Sequence, residues 1–321
     1  MTKKIIVCII LIVLGLNIFS PLSLALTISP AKFEFSADPG DTIKSQIALI
    51  NEQDVSLIFR ASSERLTVRG SYGEPVFTGE KVGLATWIEF ASSTVNLAPG
   101  EEIRIPFTIE VPENADPGGH YAAVFWSTVP GEVGTGMGIS MRVAALMLLR
   151  VSGEVIEEGE ILNFKTREKL ANYLPIDFSF KLKNTGTIHL KPGGEIVIKN
   201  IFGKITDILP INLELYSVLP KNERAFSVSW QPKSEIKDKG FLAELKKEKA
   251  GFAFGYYKAS LNLEYGETKQ TSQENIGFWV LPWRISLLSF LILVVVLLCI
   301  FQAIKWYNKW IIAKAGIQIK K

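Results

Sequence analysis

An uncharged apolar run near the C-terminus constrains this chain more than any other feature of its sequence. Residues 285–304 form a stretch of 20 residues without Asp, Glu, Lys or Arg. A helix of about 20 apolar residues crosses about 30 Å of hydrocarbon. We therefore expect a transmembrane helix over residues 282–304. The alternative is a buried core helix, which would need a longer following segment to cover it.

Both flanks of this run carry aromatic residues, whose rings are apolar in body and polar at the tip and so favour the headgroup region. Trp279 and Trp283 precede the run, and three further rings follow it: Trp306, Tyr307 and Trp310. Residues 305–321 contain no acid and five basic residues, which are Lys305, Lys309, Lys314, Lys320 and Lys321. The positive-inside rule makes this segment a basic cytoplasmic tail. The chain is thus expected to be a single-pass protein of the cell membrane, with its preceding part outside.

The N-terminus has the pattern of a signal peptide. Lys3 and Lys4 are followed by an apolar run over residues 5–16 that is short for a membrane span. Ser23 and Ala25 are small residues at the minus-three and minus-one positions of a cleavage site. We expect residues 1–25 to be removed; an uncleaved N-terminal anchor is the alternative, and it would leave the middle of the chain on the same side.

The middle of the chain is acidic and lacks cysteine. Of 35 basic residues, eight lie in residues 1–25 and 284–321, which leaves 27 against 32 acids between them and a net charge of −5. This balance excludes the basic footprint of a nucleic-acid-binding protein. The two cysteines, Cys8 and Cys299, lie in the apolar terminal segments. No disulfide is therefore expected in the exported part, whose stability must come from its core.

Short alternating segments separated by turn residues predict antiparallel strands in this middle part. A first set belongs to a predicted β-sandwich over residues 26–153: 32–35, 43–50, 55–61, 87–90, 102–111, 121–128 and 139–151. A second set belongs to a predicted β-sandwich over residues 154–281: 176–182, 195–200, 212–215, 225–230 and 256–265. The pattern indicates an all-β chain with two tandem Ig-like β-sandwich domains and one C-terminal transmembrane helix.

The landmarks of the two sets repeat in the same order. Asn51, at the end of an alternating segment, corresponds to Asn184, and residues 97–100 correspond to residues 219–222.

Residues 233–250 depart from the strand pattern. They are rich in charge, and the helical spacing of their apolar residues predicts a short amphipathic helix, either as a contact surface or as a solvated excursion.

The sequence offers no constellation for catalysis. His120 and His189 are the only histidines and belong to different predicted domains, so no thiolate–histidine pair or multi-histidine metal set is possible. Phosphate-binding and nucleophile motifs are absent, and residues 133–138 are glycine-rich without the lysine and helix of a phosphate loop. We therefore expect no catalytic residue, no cofactor and no metal.

Three tryptophans lie in alternating segments, where core packing is favoured over sugar stacking: Trp87, Trp126 and Trp230.

Several turn and strand motifs together resemble a known family. The motifs are Ile28-Ser29-Pro30, residues 38–41, Trp87-Ile88, residues 97–101 and residues 111–121. They are similar to the first domain of the WxL-interacting cell-surface proteins of Gram-positive bacteria, and residues 184–186 with 219–220 resemble the second domain more faintly. The resemblance implies a non-enzymatic surface protein that binds peptidoglycan or an exported partner protein.

These observations leave three functional hypotheses. The first is a surface binding or assembly protein that holds an exported protein or the cell wall. The second is a carbohydrate-binding module, for which exposed coplanar Trp or Tyr rings would be the mark. The third is a membrane-bound, chaperone-like protein that binds subunits, for which an unpaired edge strand would be the mark.

Overall fold

The computed structural model describes residues 26–128, 141–232 and 240–314. The predicted signal peptide, the glycine-rich segment 133–138 and Lys320 and Lys321 lie outside the described residues. The chain divides into two compact units, residues 1–68 with 75–155, and residues 69–74 with 156–321. Strands dominate both, and the all-β sandwich class expected from the sequence is confirmed.

The first unit is a sandwich of two sheets. One has the strand order β1-β3-β8-β6; the other has the order β2-β10-β9-β4-β5, with β7 also paired to β4. β2 and β10 pair in parallel, whereas β1 with β3, β3 with β8, β6 with β8, β9 with β10, and β4 with β7 and β9 pair antiparallel. The strands are β1 (Leu26–Ser29), β2 (Lys32–Ala37), β3 (Thr42–Asn51), β4 (Leu57–Arg69), β5 (Glu74–Phe77), β6 (Ile88–Phe90), β7 (Thr94–Leu97), β8 (Glu102–Glu110), β9 (Gly118–Thr128) and β10 (Arg142–Val151).

Alternate residues of these strands face each other between the sheets and form the core. Ile47, Phe59, Phe107, Trp126 and Met147 are all buried there. The expected strand over residues 87–90 is shorter than its alternation indicated. Trp87 ends a one-turn helix, α1 (Leu84–Trp87), which buries Leu84 and Ala85. The prediction of Trp87 in a strand is therefore wrong, because burial of that turn against the core overrides the alternation of its last residue.

The second unit is also a two-sheet sandwich. Its sheets have the orders β11-β13-β16 and β12-β18-β17-β14-β15. The strands are β11 (Gly159–Thr166), β12 (Leu170–Ala171), β13 (Ile176–Asn184), β14 (Gly193–Asn200), β15 (Ile205–Pro210), β16 (Glu223–Trp230), β17 (Gly255–Tyr265) and β18 (Gln270–Val280). Its core includes Phe178, Phe180, Trp230 and Phe278.

The expected strand over residues 212–215 is wrong. Asn212 and Leu215 have positive φ angles of 49° and 53°, which a strand cannot contain. The Asn212 side chain closes a turn by accepting a hydrogen bond from the Tyr216 N–H at 2.8 Å and donating one to the Tyr216 carbonyl at 3.0 Å. Local side-chain hydrogen bonding thus replaces the ladder that the apolar alternation indicated.

Two longer helices complete the second unit. The helix α2 (Phe241–Ala250) lies within the segment where an amphipathic helix was predicted. The helix α3 (Trp283–Lys314) has 32 residues and continues ten residues past the predicted end of the membrane span at 304. A helix of this length extends about 48 Å. Among the described residues, α3 is the one helix long and apolar enough to cross a membrane.

Candidate functional site

One side of the first sandwich contains an open strand edge. β10 pairs with β9 along residues 142–151, whereas β2 pairs with β10 only along residues 146–151. In the described parts of the chain, no strand is hydrogen-bonded to the outer edge of residues 142–145, although β1 lies near β10. The Leu146 N–H donates toward β2, to the Ala31 carbonyl at 2.9 Å. Because backbone direction alternates along a strand, the N–H and C=O groups of Arg142 and Ala144 face the same open side.

The course of the first two strands explains why the edge is open. β1 pairs with β3 in one sheet, and β2 pairs with β10 in the other, so the chain changes sheets at Pro30 and Ala31. Proline has no N–H to donate to a ladder. β2 therefore begins only where Lys32 faces Leu146, and no strand of the described residues pairs with the outer edge of the first four residues of β10.

Apolar side chains lie next to this open edge. Where β2 covers the side of the sandwich, Phe33 is buried with its ring edge against Phe107, at a centroid distance of 5.4 Å. Past the start of β2, the side is lined by side chains that pack on the core and remain partly exposed: Leu26, Ile28, Met141 and Val143. An added strand along residues 142–145 would place alternate side chains over this apolar lining.

The side chain of Arg142 is held away from the edge by its own contacts. Its guanidinium carbon lies 3.4 Å from the centroid of the Phe125 ring, and it forms an ion pair with Glu64. The stacking and the ion pair keep this cation on the outer face of the sheet. The open groups of Arg142 are therefore those of its backbone.

A second polar cluster joins α2 to the start of α3. Glu248 is completely buried. One of its carboxylate oxygens, Oε2, accepts a hydrogen bond from the Ile285 N–H at 2.9 Å, and the other, Oε1, lies 3.1 Å from Arg284 Nη1. A carboxylate is favourable at a helix N-terminus because it meets free N–H groups and the positive end of the helix dipole. We call Glu248 and Arg284 the α2–α3 latch.

Titratable groups surround the latch. The Tyr173 hydroxyl donates to Glu244 Oε2 at 3.0 Å, and Lys247 Nζ lies 2.9 Å from Glu244 Oε1. Burial, followed by the hydrogen bond to Glu244, raises the pKa of Tyr173. The hydrogen bonds from Lys247 and Tyr173 lower the pKa of Glu244, and the bond to Glu244 raises the pKa of Lys247. The cluster thus favours the charged carboxylate, the charged amine and the neutral phenol.

The residues predicted at the membrane interfaces lie on two different elements. Trp279 belongs to β18, where its half-exposed ring meets Tyr256 of β17 at 5.5 Å. Trp283 is the first residue of α3. The other predicted residues are exposed on the last part of α3: Lys305, Trp306, Tyr307, Lys309, Trp310 and Lys314. β18 was not predicted, because its last residues directly precede the apolar run of the helix.

His120 and the three tryptophans considered for sugar stacking make contacts within the fold. His120 Nε2 donates to the Asp116 carbonyl at 2.8 Å, and its ring lies 4.7 Å from that of Trp87. Trp126 and Trp230 are buried in the two cores. Among the residues that the structure describes, no group of three or more His, Cys, Asp or Glu side chains is placed to hold a metal ion.

No family model matches the chain, and no characterised protein sequence matches it significantly. Solved structures provide matches of fold. The class 5 fimbriae chaperone CfaA is 12% identical, with a TM-score of 0.38 over 78% of this chain and 98% of that chain. The Pseudomonas aeruginosa chaperone CupB2 is 7% identical, with a TM-score of 0.36 over 79% of this chain and 100% of that chain. At such identities and TM-scores the likeness concerns the β-sandwich fold alone.

Proposed function

We propose that this chain is a membrane-anchored binding protein that holds an extended segment of an exported partner protein by strand addition. The observation that carries the proposal is the open edge of residues 142–145 beside a partly exposed apolar lining. Added strands gain affinity from main-chain hydrogen bonds and specificity from alternate side chains. No chemical step is needed for this role.

The anchor in this proposal is α3. From Trp283 to Ile304 the helix extends about 33 Å, which matches the hydrocarbon thickness of a bilayer. Lys305, Lys309 and Lys314 follow on the same helix without an acid. Because such charge favours the cytoplasmic side, we propose that both sandwiches lie outside.

Two alternative functions are peptidoglycan binding and carbohydrate binding by stacked rings. Peptidoglycan binding and membership of the WxL-interacting family stay predictions from the sequence. Sugar stacking finds less support, because Trp126 and Trp230 are buried and the rings of Tyr256 and Trp279 are inclined by 62° to each other. A flat sugar-binding platform needs coplanar exposed rings, which this pair does not provide.

The experiment uses the full-length chain in lipid nanodiscs. A panel of ten-residue peptides with apolar side chains at alternate positions is tested for binding, with hydrogen exchange of residues 142–145 as the second readout. We expect peptide binding to slow exchange of the Arg142 and Ala144 amides, because these amides face the open edge. Washed Gram-positive peptidoglycan is the parallel ligand.

The two ligands distinguish strand addition from cell-wall binding. Peptide binding with slowed exchange at Arg142 and Ala144 supports strand addition. Binding to peptidoglycan with unchanged exchange in β10 would reject strand addition in favour of a cell-wall role. Binding to neither ligand would overturn the proposal.

A further inference from the structure

The end of the second unit where α3 begins carries a set of exposed apolar side chains that come from segments far apart in the sequence. They come from the β14–β15 turn, the segment before β17, the end of β18 and the first residue of α3. The set is Ile201, Phe202, Phe252, Phe254, Trp279, Leu281 and Trp283, and we call it the apolar collar. Phe202 is 90% exposed, which is extreme for a phenylalanine.

Strand register places these residues at one end of the sheet. Gly255 pairs with Val280, so residues 252–254 and residues 281–283 leave the sheet at the same level. Asn200 pairs with Tyr257, which puts the turn containing Ile201 and Phe202 at that level too. Three segments that are distant in sequence thus converge where the predicted membrane helix starts.

Further exposed apolar residues lie next to the collar on the outer face of the same sheet. Leu170, Trp279 and Tyr256 are neighbours across β12, β18 and β17 by register, and all three are exposed by a third or more. The next pair on this face is basic, because Lys199 faces Lys258 between β14 and β17. An apolar rim below lysines has the chemistry of the boundary between acyl chains and anionic headgroups.

We propose that the apolar collar is a second membrane contact, in which Phe202 and its neighbours enter the outer leaflet and hold the sandwich against a bilayer with anionic headgroups. The inference rests on the proposed anchoring by α3, since the collar is continuous with the first residue of that helix. A contiguous patch of exposed apolar side chains marks an interaction site. Because this patch adjoins the membrane helix α3, lipid is the partner that we expect here. The α2–α3 latch fixes the helix start against α2 and so keeps the unit close to the bilayer.

The test places an environment-sensitive fluorophore on the collar of the full-length chain. In a background with Cys8→Ser and Cys299→Ser, Phe202→Cys is labelled and the protein is reconstituted into vesicles containing phosphatidylglycerol. The matched control is Leu213→Cys, which is 77% exposed in the loop after β15. β15 runs antiparallel to β14, and its last residue Pro210 faces Glu195, so this loop lies at the opposite end of the sheet.

We expect the label at position 202 to show blue-shifted emission and strong quenching by lipids with a doxyl group near the headgroup. The label at position 213 should show aqueous emission and no lipid quenching. A chain that floats with the vesicles while the label at position 202 stays aqueous would overturn the collar and leave the anchor intact. A chain that does not float with the vesicles at all would overturn the anchor itself.

A second readout needs no substitution. Hydrogen exchange of residues 200–204 in nanodiscs is compared with exchange in detergent-free amphipol, which removes the bilayer plane. We expect slower exchange of this turn in nanodiscs and a further slowing when anionic lipid replaces zwitterionic lipid. Equal exchange in all three environments would contradict the proposal.

Discussion

Asn51 and Asn184 occupy the same corner in their two sandwiches, and both are completely buried. The Asn51 Nδ2 group donates to the Leu97 carbonyl at 3.0 Å, and the Asn184 Nδ2 group donates to the Val218 carbonyl at 2.7 Å. Each amide also bonds to a carbonyl four residues on in the chain, at 2.9 Å and 2.7 Å respectively. One buried side chain therefore ties two loops together in each unit.

Replacement of Asn51 should unfold the first unit more easily. Asn51→Ala removes a donor shared by buried carbonyls, and we expect a loss of about 2–4 kcal/mol in the free energy of unfolding. Asn51→Asp keeps the shape but has no donor at neutral pH, so it should be at least as destabilising. Urea unfolding followed by tryptophan fluorescence measures both. A tolerated Asn51→Asp would show that shape alone matters at this corner.

Gly100 and Lys221 occupy corresponding positions beside the two buried asparagines, so each can be replaced by the residue found in the other unit. Gly100 donates its N–H to the Asn51 carbonyl and has a φ of 71°, and Lys221 donates to the Asn184 carbonyl with a φ of 61°. A side chain in this left-handed conformation costs about 1 kcal/mol. We expect Gly100→Lys to lose about that amount and Lys221→Gly to gain up to about 1 kcal/mol. Thermal unfolding of the pair checks the signs, and two shifts in the same direction would contradict this account.

The α2–α3 latch should depend on its buried carboxylate. Glu248→Ala leaves the Ile285 N–H without its acceptor and leaves the Arg284 guanidinium with Glu244, 3.6 Å from its Nη1. We expect the docking of α2 to weaken by about 1–3 kcal/mol. Hydrogen exchange of α2 in nanodiscs measures the loss. Lys249→Ala, at an exposed position of the same helix, is the matched control and should leave exchange unchanged. Similar exchange in both variants would show that Glu248 does not hold the helix.

The docking of α2 should also depend on pH. The pKa of Glu244 is below its ordinary 4.5, so its contribution is fully present above pH 4.5 and is lost as the pH falls through the lower folded value. The pKa values of Tyr173 and Lys247 are raised, so their contributions are present below their ordinary values of 10.0 and 10.5 and are lost at higher pH. We expect α2 to be most protected between these limits. Glu244→Gln should remove the acid loss, and an unchanged acid profile in that variant would assign it to another group.

A proline at the open edge should block strand addition with little effect on the fold. Ala144→Pro removes an N–H that faces the open side, and proline is tolerated where the N–H lies outside the ladder. We expect stability to change by about 1 kcal/mol or less and peptide affinity to fall about tenfold or more. Ala144→Val keeps the N–H and is the control. Unchanged peptide affinity in the proline variant would place the binding site elsewhere.

Local signals in the sequence were sufficient for many of the elements. The alternation of residues 43–50 and 102–111 predicted β3 and β8, because one face of each strand is buried and the other is not. The prediction of a strand at residues 212–215 was wrong for a local reason, because the Asn212 side chain closes a turn within an apolar alternation. β18 was missed because its first half, from Gln270 to Asn275, is mostly polar and its last residues precede the apolar helix.

The candidate sites were not accessible to the same reasoning. Residues 142–145 carry no signal that distinguishes them from the rest of β10, and only the point where β2 begins makes their edge open. The apolar collar combines a turn near residue 202, a loop near residue 253 and the end of β18, and no periodicity relates these segments. Glu248 lies in the charge-rich segment 233–250, for which the sequence left open a contact surface or a solvated excursion, and only its packing against the start of α3 buries it completely.

The sequence by itself determined the class of this protein: periodicity of two gives strands, and one long uncharged run gives an anchor-length helix. Such patterns act through neighbours in the chain, so they can be read without coordinates. The tertiary structure decided which strand edge stays open, which carboxylate is buried and which exposed rings share one end of a sheet. These outcomes depend on contacts between residues far apart in the chain, and pairing register sets them.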